Sequence, residues 1–188
     1  MITREEALKL LKDNMPEENL IRHSLSTEAV LRELAVRLNR DREVWSLTGL
    51  LHDLDYSITA QDHSRHGLKS SEMLHDKLPG EALRAIQVHA TEMNNSGPPE
   101  TDLDFALRCG ETVTGLIMAA GLIRPNGLEG MKPKSLKKKI KDKAFAASVN
   151  RATLREYENL GLDLDEFLTI SIGAMQSISK NIGFDHSS

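Results

Sequence analysis

The sequence is poor in cysteine and in aromatic side chains. Cys109 is its only cysteine, which excludes a disulfide within the chain and suits a reducing cytoplasm. Aromatic residues make up 4% of the chain, too few for the stacking platforms that bind single-stranded nucleic acid. A net charge of −4 points the same way, since nucleic acid and anionic lipid both attract basic proteins. No apolar run approaches the roughly 20 residues needed to cross a bilayer. The opening MITREEALKLLKDNMPEEN carries charge in its first turns, so no signal peptide is visible. The expectation is a cytoplasmic protein with no membrane or nucleic-acid partner. There is no strand-like alternation of useful length, no internal repeat and no low-complexity tail. A phosphate loop is missing too: GLEG at 127–130 lacks the lysine and the helix start that such loops require.

What is present is helix. The 188 residues, with 39% hydrophobic and 28% charged, are enough for one domain with a real core. Thr3 with Glu6 has capping-box spacing ahead of Leu8, Leu10 and Leu11. After Pro16 a longer helix is expected to about Asn39, with Thr27, Leu31, Leu34 and Leu38 on one stripe and His23 a turn before it. Asp41 suits the start of a third helix, buried through Val44, Leu47, Leu50, Leu51 and Leu54 and ending at His52 and Asp53. The polar SITAQDHSRHG leads to a helix over about 66–75. Pro79 and Gly80 precede another, carrying Leu83, Ile86 and Ala90 beside His89. NNSGPPET is a loop, after which Thr101 and Asp104 reopen a helix to about Leu122. RPNGLEGMKPK is irregular. A lysine-rich helix follows, then a short one from about Thr153, and a last one that starts near Asp163 and Glu166 and stops at Gly183. The fold class is all-α: one domain over 1–188, with a core to about 122 and a helical extension over about 123–188.

Seven histidines lie at 23, 52, 63, 66, 75, 89 and 186. One histidine near an apolar face is commonly a hydrogen-bonded core or surface residue. Four of them, His23, His52, His66 and His89, fall beside predicted apolar faces, and burying that many imidazoles without a shared purpose leaves too many polar groups to satisfy. The dipeptide His52-Asp53 says little alone, because His75-Asp76 repeats it in LHDKLPG with nothing around it. Only the first pair follows a buried run, SLTGLL. Imidazole with carboxylate suits Mn, Fe, Co, Ni or Zn, and the absence of thiolates argues against a structural zinc knot.

The order His23, His52-Asp53, His66, His89 and a distal acid resembles the HD superfamily of metal-dependent phosphohydrolases. The matching stretches are RHSLSTEAV, LLHDLDY, RHGLKSSEML, AIQVHAT and ALRCGETVTGLI, and the last puts Glu111 where the family has an aspartate. The likeness spans nearly the whole chain; MKPKSLKKKIKDKAFAASVNR and GLDLDEFLTISIGAM look like the C-terminal part of a bacterial and archaeal branch. The resemblance implies an HD-type helical bundle holding a divalent transition metal on His23, His52, Asp53 and Glu111. His66 and His89 would either bind a second ion or move protons beside a single one, and Asp53 is counted with them as catalytic. Two departures stand out: HDLDY lacks the glycine and lysine that follow the pair in one subgroup, and Glu111 has a longer arm. The second favours one ion. The implied activity is hydrolysis of a phosphomonoester or phosphodiester, a nucleotide in particular; the alternative is a degenerate module that binds a nucleotide or partner without turnover.

The stretch from Lys132 to Lys143 carries seven lysines against one aspartate. Most of it reads as a solvated face balancing an acidic protein. Arg124 and Lys132, close in sequence to the expected metal helix, are candidates for substrate phosphate contact. Arg108 is the alternative partner for Glu111, and Cys109 is expected only to pack. His63 is expected in a loop, His75 on the surface and His186 in the tail.

Overall fold

The computed structural model describes residues 1–184, so His186 lies outside the described residues. Among the described residues there are ten α-helices and no strand. They are α1 (Arg4–Asn14), α2 (Glu18–Arg37), α3 (Arg42–Leu51), α4 (Leu68–Leu74), α5 (Gly80–Val88), α6 (Thr91–Asn94), α7 (Asp102–Leu122), α8 (Pro133–Lys141), α9 (Arg151–Leu154) and α10 (Leu164–Ser177). The expected starts are in place for local reasons. Thr3 and Glu6 close a full capping box on α1, Thr101 and Asp104 close one on α7, and the Asp41 carboxylate accepts the first free amides of α3.

α2 is the spine, with α3 and α7 packed along it and α10 laid across the same helix. Leu31 and Leu34 on α2 and Leu47, Leu50 and Leu51 on α3 are all but fully buried; each such side chain contributes about 1.5–3 kcal/mol. Leu38, at the end of the predicted stripe, is only half-buried. Two glycines let the backbones close in. A Cβ on Gly49 would lie 2.9 Å from the Thr27 carbonyl group, and one on Gly110 would meet Leu31 at 2.7 Å. Thr27 is one turn after His23, and Gly49 is one turn before Asp53. The tight crossing at Gly49 therefore sets how near those two side chains come.

Several elements differ from expectation. α4 starts at Leu68 rather than 66, because His66 is extended (φ −61°, ψ 135°) and Gly67 turns with φ +78°. A short 3-10 turn, His63–Arg65, precedes it, and the four-residue α6 was not foreseen. The short helix after Asn150 runs into a 3-10 stretch, Arg155–Leu160. α10 ends at Ser177, and Gly183 (φ +89°) closes a further 3-10 turn, Ser179–Ile182. One helix has membrane-like length and composition even though Arg108 and Glu111 interrupt its apolar residues. α7 has an 18-residue window of mean hydropathy 1.2, long and apolar enough by composition to span a bilayer, with 61% of that window buried inside the bundle. It is the central helix of the core.

Gly49→Ala should lower stability by about 1–3 kcal/mol, the usual result of overpacking a close contact. Chemical denaturation against wild type checks this. An unchanged midpoint would show that α2 and α3 can separate freely at this crossing.

Candidate metal centre

Each of the four histidines is held by its Nδ1. His52 and His89 follow the last residues of α3 and α5, where backbone carbonyls have no partner further along the helix. Their rings fold back to use them: His52 Nδ1–H donates to Gly49 O at 2.9 Å and His89 Nδ1–H to Ile86 O at 2.6 Å. His66 Nδ1–H donates to Asp55 Oδ1 at 2.7 Å. The Thr114 hydroxyl donates to Glu111 O at 2.7 Å, so its oxygen accepts from His23 Nδ1–H at 3.1 Å. With Nδ1 carrying the proton in all four rings, each Nε2 is left with a lone pair.

Those four Nε2 atoms converge on Asp53. Its Oδ2 lies 3.3 Å from His52 Nε2 and 3.6 Å from His23 Nε2. Its Oδ1 lies 3.3 Å from both His66 Nε2 and His89 Nε2. Glu111 Oε2 adds a second carboxylate, 3.7 Å from His52 Nε2 and 3.9 Å from His23 Nε2. The donor atoms form three overlapping groups: His23, His52 and Asp53; His52, His89 and Glu111; and Asp53, His66 and His89. His52 Nε2 is buried without a hydrogen-bond partner. Lone pairs facing carboxylate oxygens at these distances call for a cation between them, and ligands about 2.0–2.2 Å from one ion have such separations. The donor set fits a divalent metal.

Without a metal, protons compensate the charge. Burial works against the Asp53 carboxylate, but His52 together with hydrogen bonds to His66 and His89 holds its pKa well below the ordinary range. Burial also opposes a charge on His66, yet Asp53 and Asp55 outweigh it and push the pKa up to about 10. His52 is raised against its burial by Asp53. His23 goes the other way, down to about 4, because burial exceeds the pull of Asp53. Burial raises Glu111, with His89 and His52 pulling against it. The side chains of His23 and Glu111 are 26% and 23% exposed, and they face a cavity of about 440 Å³ that opens the cluster to solvent.

The sequence-predicted residues separate cleanly. His23, His52, Asp53, His66, His89 and Glu111 all meet in the cluster. Arg124 and Lys132 do not line the cavity. The stretch of α7 from Glu111 to Leu122 advances about 1.5 Å per residue, which carries Arg124 away to the far end of the helix, and its guanidinium donates to Gly127 O and Glu129 O. Arg108 does not pair with Glu111 but with Glu92 and Glu156. His63 and the His75-Asp76 pair are exposed. Cys109 is buried, its thiol pushed well up by burial.

Two roles are not foreseen from the sequence, those of Asp55 and Arg108. Asp55 is fully buried; besides His66 it accepts the amides of Gly67 and Ser70 at 2.8 Å each, capping α4 from outside. A second acid two residues after Asp53 was the signal available. Arg108 donates to the carbonyls of Val88 and His89 while bound to Glu92 and Glu156, pinning the end of α5 that carries His89. A cation at a helix C-terminus is favourable there.

A helical bundle that aims four imidazoles at one shared carboxylate defines a class, the bundles whose clustered side chains could hold a metal. A family model described as HD domain matches residues 20–144, more than half of the chain, and the chain belongs to the HD domain family. No curated protein and no solved structure matches it. Proteins of this family are generally metal-dependent hydrolases.

Asp55→Asn should turn an amide N–H₂ toward His66 Nδ1–H and weaken metal binding about 10–100-fold, the usual loss when a ligand's outer partner is changed. Titration against a competing chelator measures it. Wild-type affinity in a folded variant would mean that Asp55 serves only to cap α4.

Proposed function

We propose that the chain is a metal-dependent phosphohydrolase acting on a small-molecule phosphate ester, a nucleotide, with two divalent transition-metal ions held around Asp53. The observation that carries this reading is the division of labour at the Asp53 carboxylate, with one oxygen toward His23 and His52 and the other toward His66 and His89. His23, His52, Asp53 and Glu111 would hold one ion; Asp53, His66 and His89 the other. The longer arm of Glu111 had favoured a single ion, but its carboxylate reaches the same imidazoles as Asp53 Oδ2.

Bound there, such ions would supply a lowered pKa for bound water, neutralisation of phosphoryl charge and alignment of attacking and leaving oxygens. The protein's own part is orientation. Gly49 O, Ile86 O, Asp55 and Thr114 fix the four rings so that no reorganisation is needed when ligands bind. In this arrangement His66 and His89 act as ligands instead of proton carriers. A covalent nucleophile has no support: the buried Cys109 sits outside the cavity lining with its thiol protonated.

Gently purified protein should contain about two transition-metal ions per chain and hydrolyse an unactivated phosphate ester. His66→Ala or His89→Ala should leave about one ion and little turnover, and Asp53→Ala little metal at all, while His75→Ala changes neither. Elemental analysis paired with a nucleotide screen decides it. Equal metal in wild type and folded Asp53→Ala sinks the proposal.

A further inference from the structure

The cavity over the cluster has walls of unusual charge for a site that takes phosphates. Among the described residues, no lysine or arginine lines it. Its carboxylates are Asp53, Glu92 and Glu111. Four cations of the surrounding segments are engaged away from it. Arg108 is bound to Glu92 and Glu156. Arg151, beside the rim residue Asn150, donates to the carbonyls of Asp142, Phe145, Ala146 and Val149. In the lysine-rich α8, Lys137 pairs with Asp165 and Lys139 lies 4.0 Å from the Phe145 ring centroid.

The rest of the wall is apolar or neutral. Leu20, Tyr56, Met93 and Val149 surround the mouth, and Tyr56 (39% exposed) and Met93 (52%) offer bare apolar surface there. Tyr56 stands edge-on to His66, with ring centroids 5.5 Å apart. Its ring therefore adjoins the His66 side of the cluster. Ser148 and Thr112 supply neutral hydroxyls. At about 440 Å³ the space is near the small end of ligand pockets, roughly 300–1,000 Å³.

A phosphoryl group seated at the cluster can be neutralised by the ions there. A second or third phosphate would extend from it past Glu92 and apolar surface, with no lysine or arginine in the lining to receive its charge. We infer that this site selects a ligand with one phosphoryl group on an uncharged, partly apolar organic part: a nucleoside monophosphate, and not a di- or triphosphate. The inference rests on the phosphohydrolase reading above and narrows it. In the reaction, water adds across the phosphorus–oxygen ester bond. The water oxygen remains on phosphorus as inorganic phosphate, and a proton ends on the nucleoside hydroxyl.

The test compares adenosine mono-, di- and triphosphate on manganese-loaded full-length protein at fixed free Mn²⁺. The monophosphate should have the higher kcat/KM by about tenfold or more, since like charges brought together at a binding surface are strongly disfavoured. Met93→Lys and Ser148→Lys each place a cation on the exposed rim and should shift the diphosphate-to-monophosphate ratio upward by about fivefold or more. Diphosphate or triphosphate cleaved as well as monophosphate overturns the inference, and so does an unchanged ratio in both lysine variants. Should loaded protein turn over none of the three, calorimetric binding replaces kinetics: tighter monophosphate supports the inference, tighter triphosphate overturns it. Protein that holds no manganese overturns the phosphohydrolase reading itself, by a separate measurement, and this inference with it.

Discussion

A carboxylate buried among four imidazoles is the constraint around which this molecule is arranged. Taken from water alone, the Asp53 charge would be prohibitively expensive, and lone pairs pointing at it make matters worse. Something positive has to sit in the cluster, whether protons or metal. The fold keeps the acceptors in place regardless, by giving each histidine an outward hydrogen bond through Nδ1. Two of those bonds use carbonyls that the ends of α3 and α5 leave free. The same device thus finishes a helix and aims a ligand.

The closeness of the donors depends on backbone packing some distance from them. Gly49 lets α3 lie against the α2 backbone at Thr27, and Gly110 admits Leu31 to the surface of α7. Gly67 does comparable work with its positive φ, for a Cβ there would strike Ile86 O at 2.5 Å and crowd the His89 ring. These three glycines sit within four residues of Asp53, Glu111 and His66, so packing and chemistry are set by adjacent positions in the chain.

Much of the fold was legible because its signals are local. Capping residues at Thr3, Asp41 and Thr101 and the Leu31–Leu34 stripe can each be read within a few residues of sequence. Context also separated His52-Asp53 from His75-Asp76, since only the former follows a buried run. What could not be read depends on distant partners. Asp55 caps α4 and orients His66 across 11 to 15 residues, and Arg108 joins α5, α6 and the Arg155–Leu160 turn. Arg124 was misplaced for the complementary reason: nearness in sequence means little along a straight helix. The start of α4 moved because Gly67 takes a backbone conformation that an amphipathic pattern does not record.

The scattering of the cluster along the chain bears on how the protein comes into being. Its members run from His23 on α2 to Glu111 on α7, on five separate segments. During synthesis the chain emerges from its N-terminus onward, so His23, His52 and Asp53 leave the ribosome long before the helix that contributes Glu111. An unfolded chain rarely presents a preformed metal site. A growing chain would hold only fragments of this one until α7 docks against α2. On the proposed reading, capture of the metal becomes a late event in biogenesis, coupled to completion of the bundle, and a ribosome stalled before residue 111 would display imidazoles without the last acid of the set.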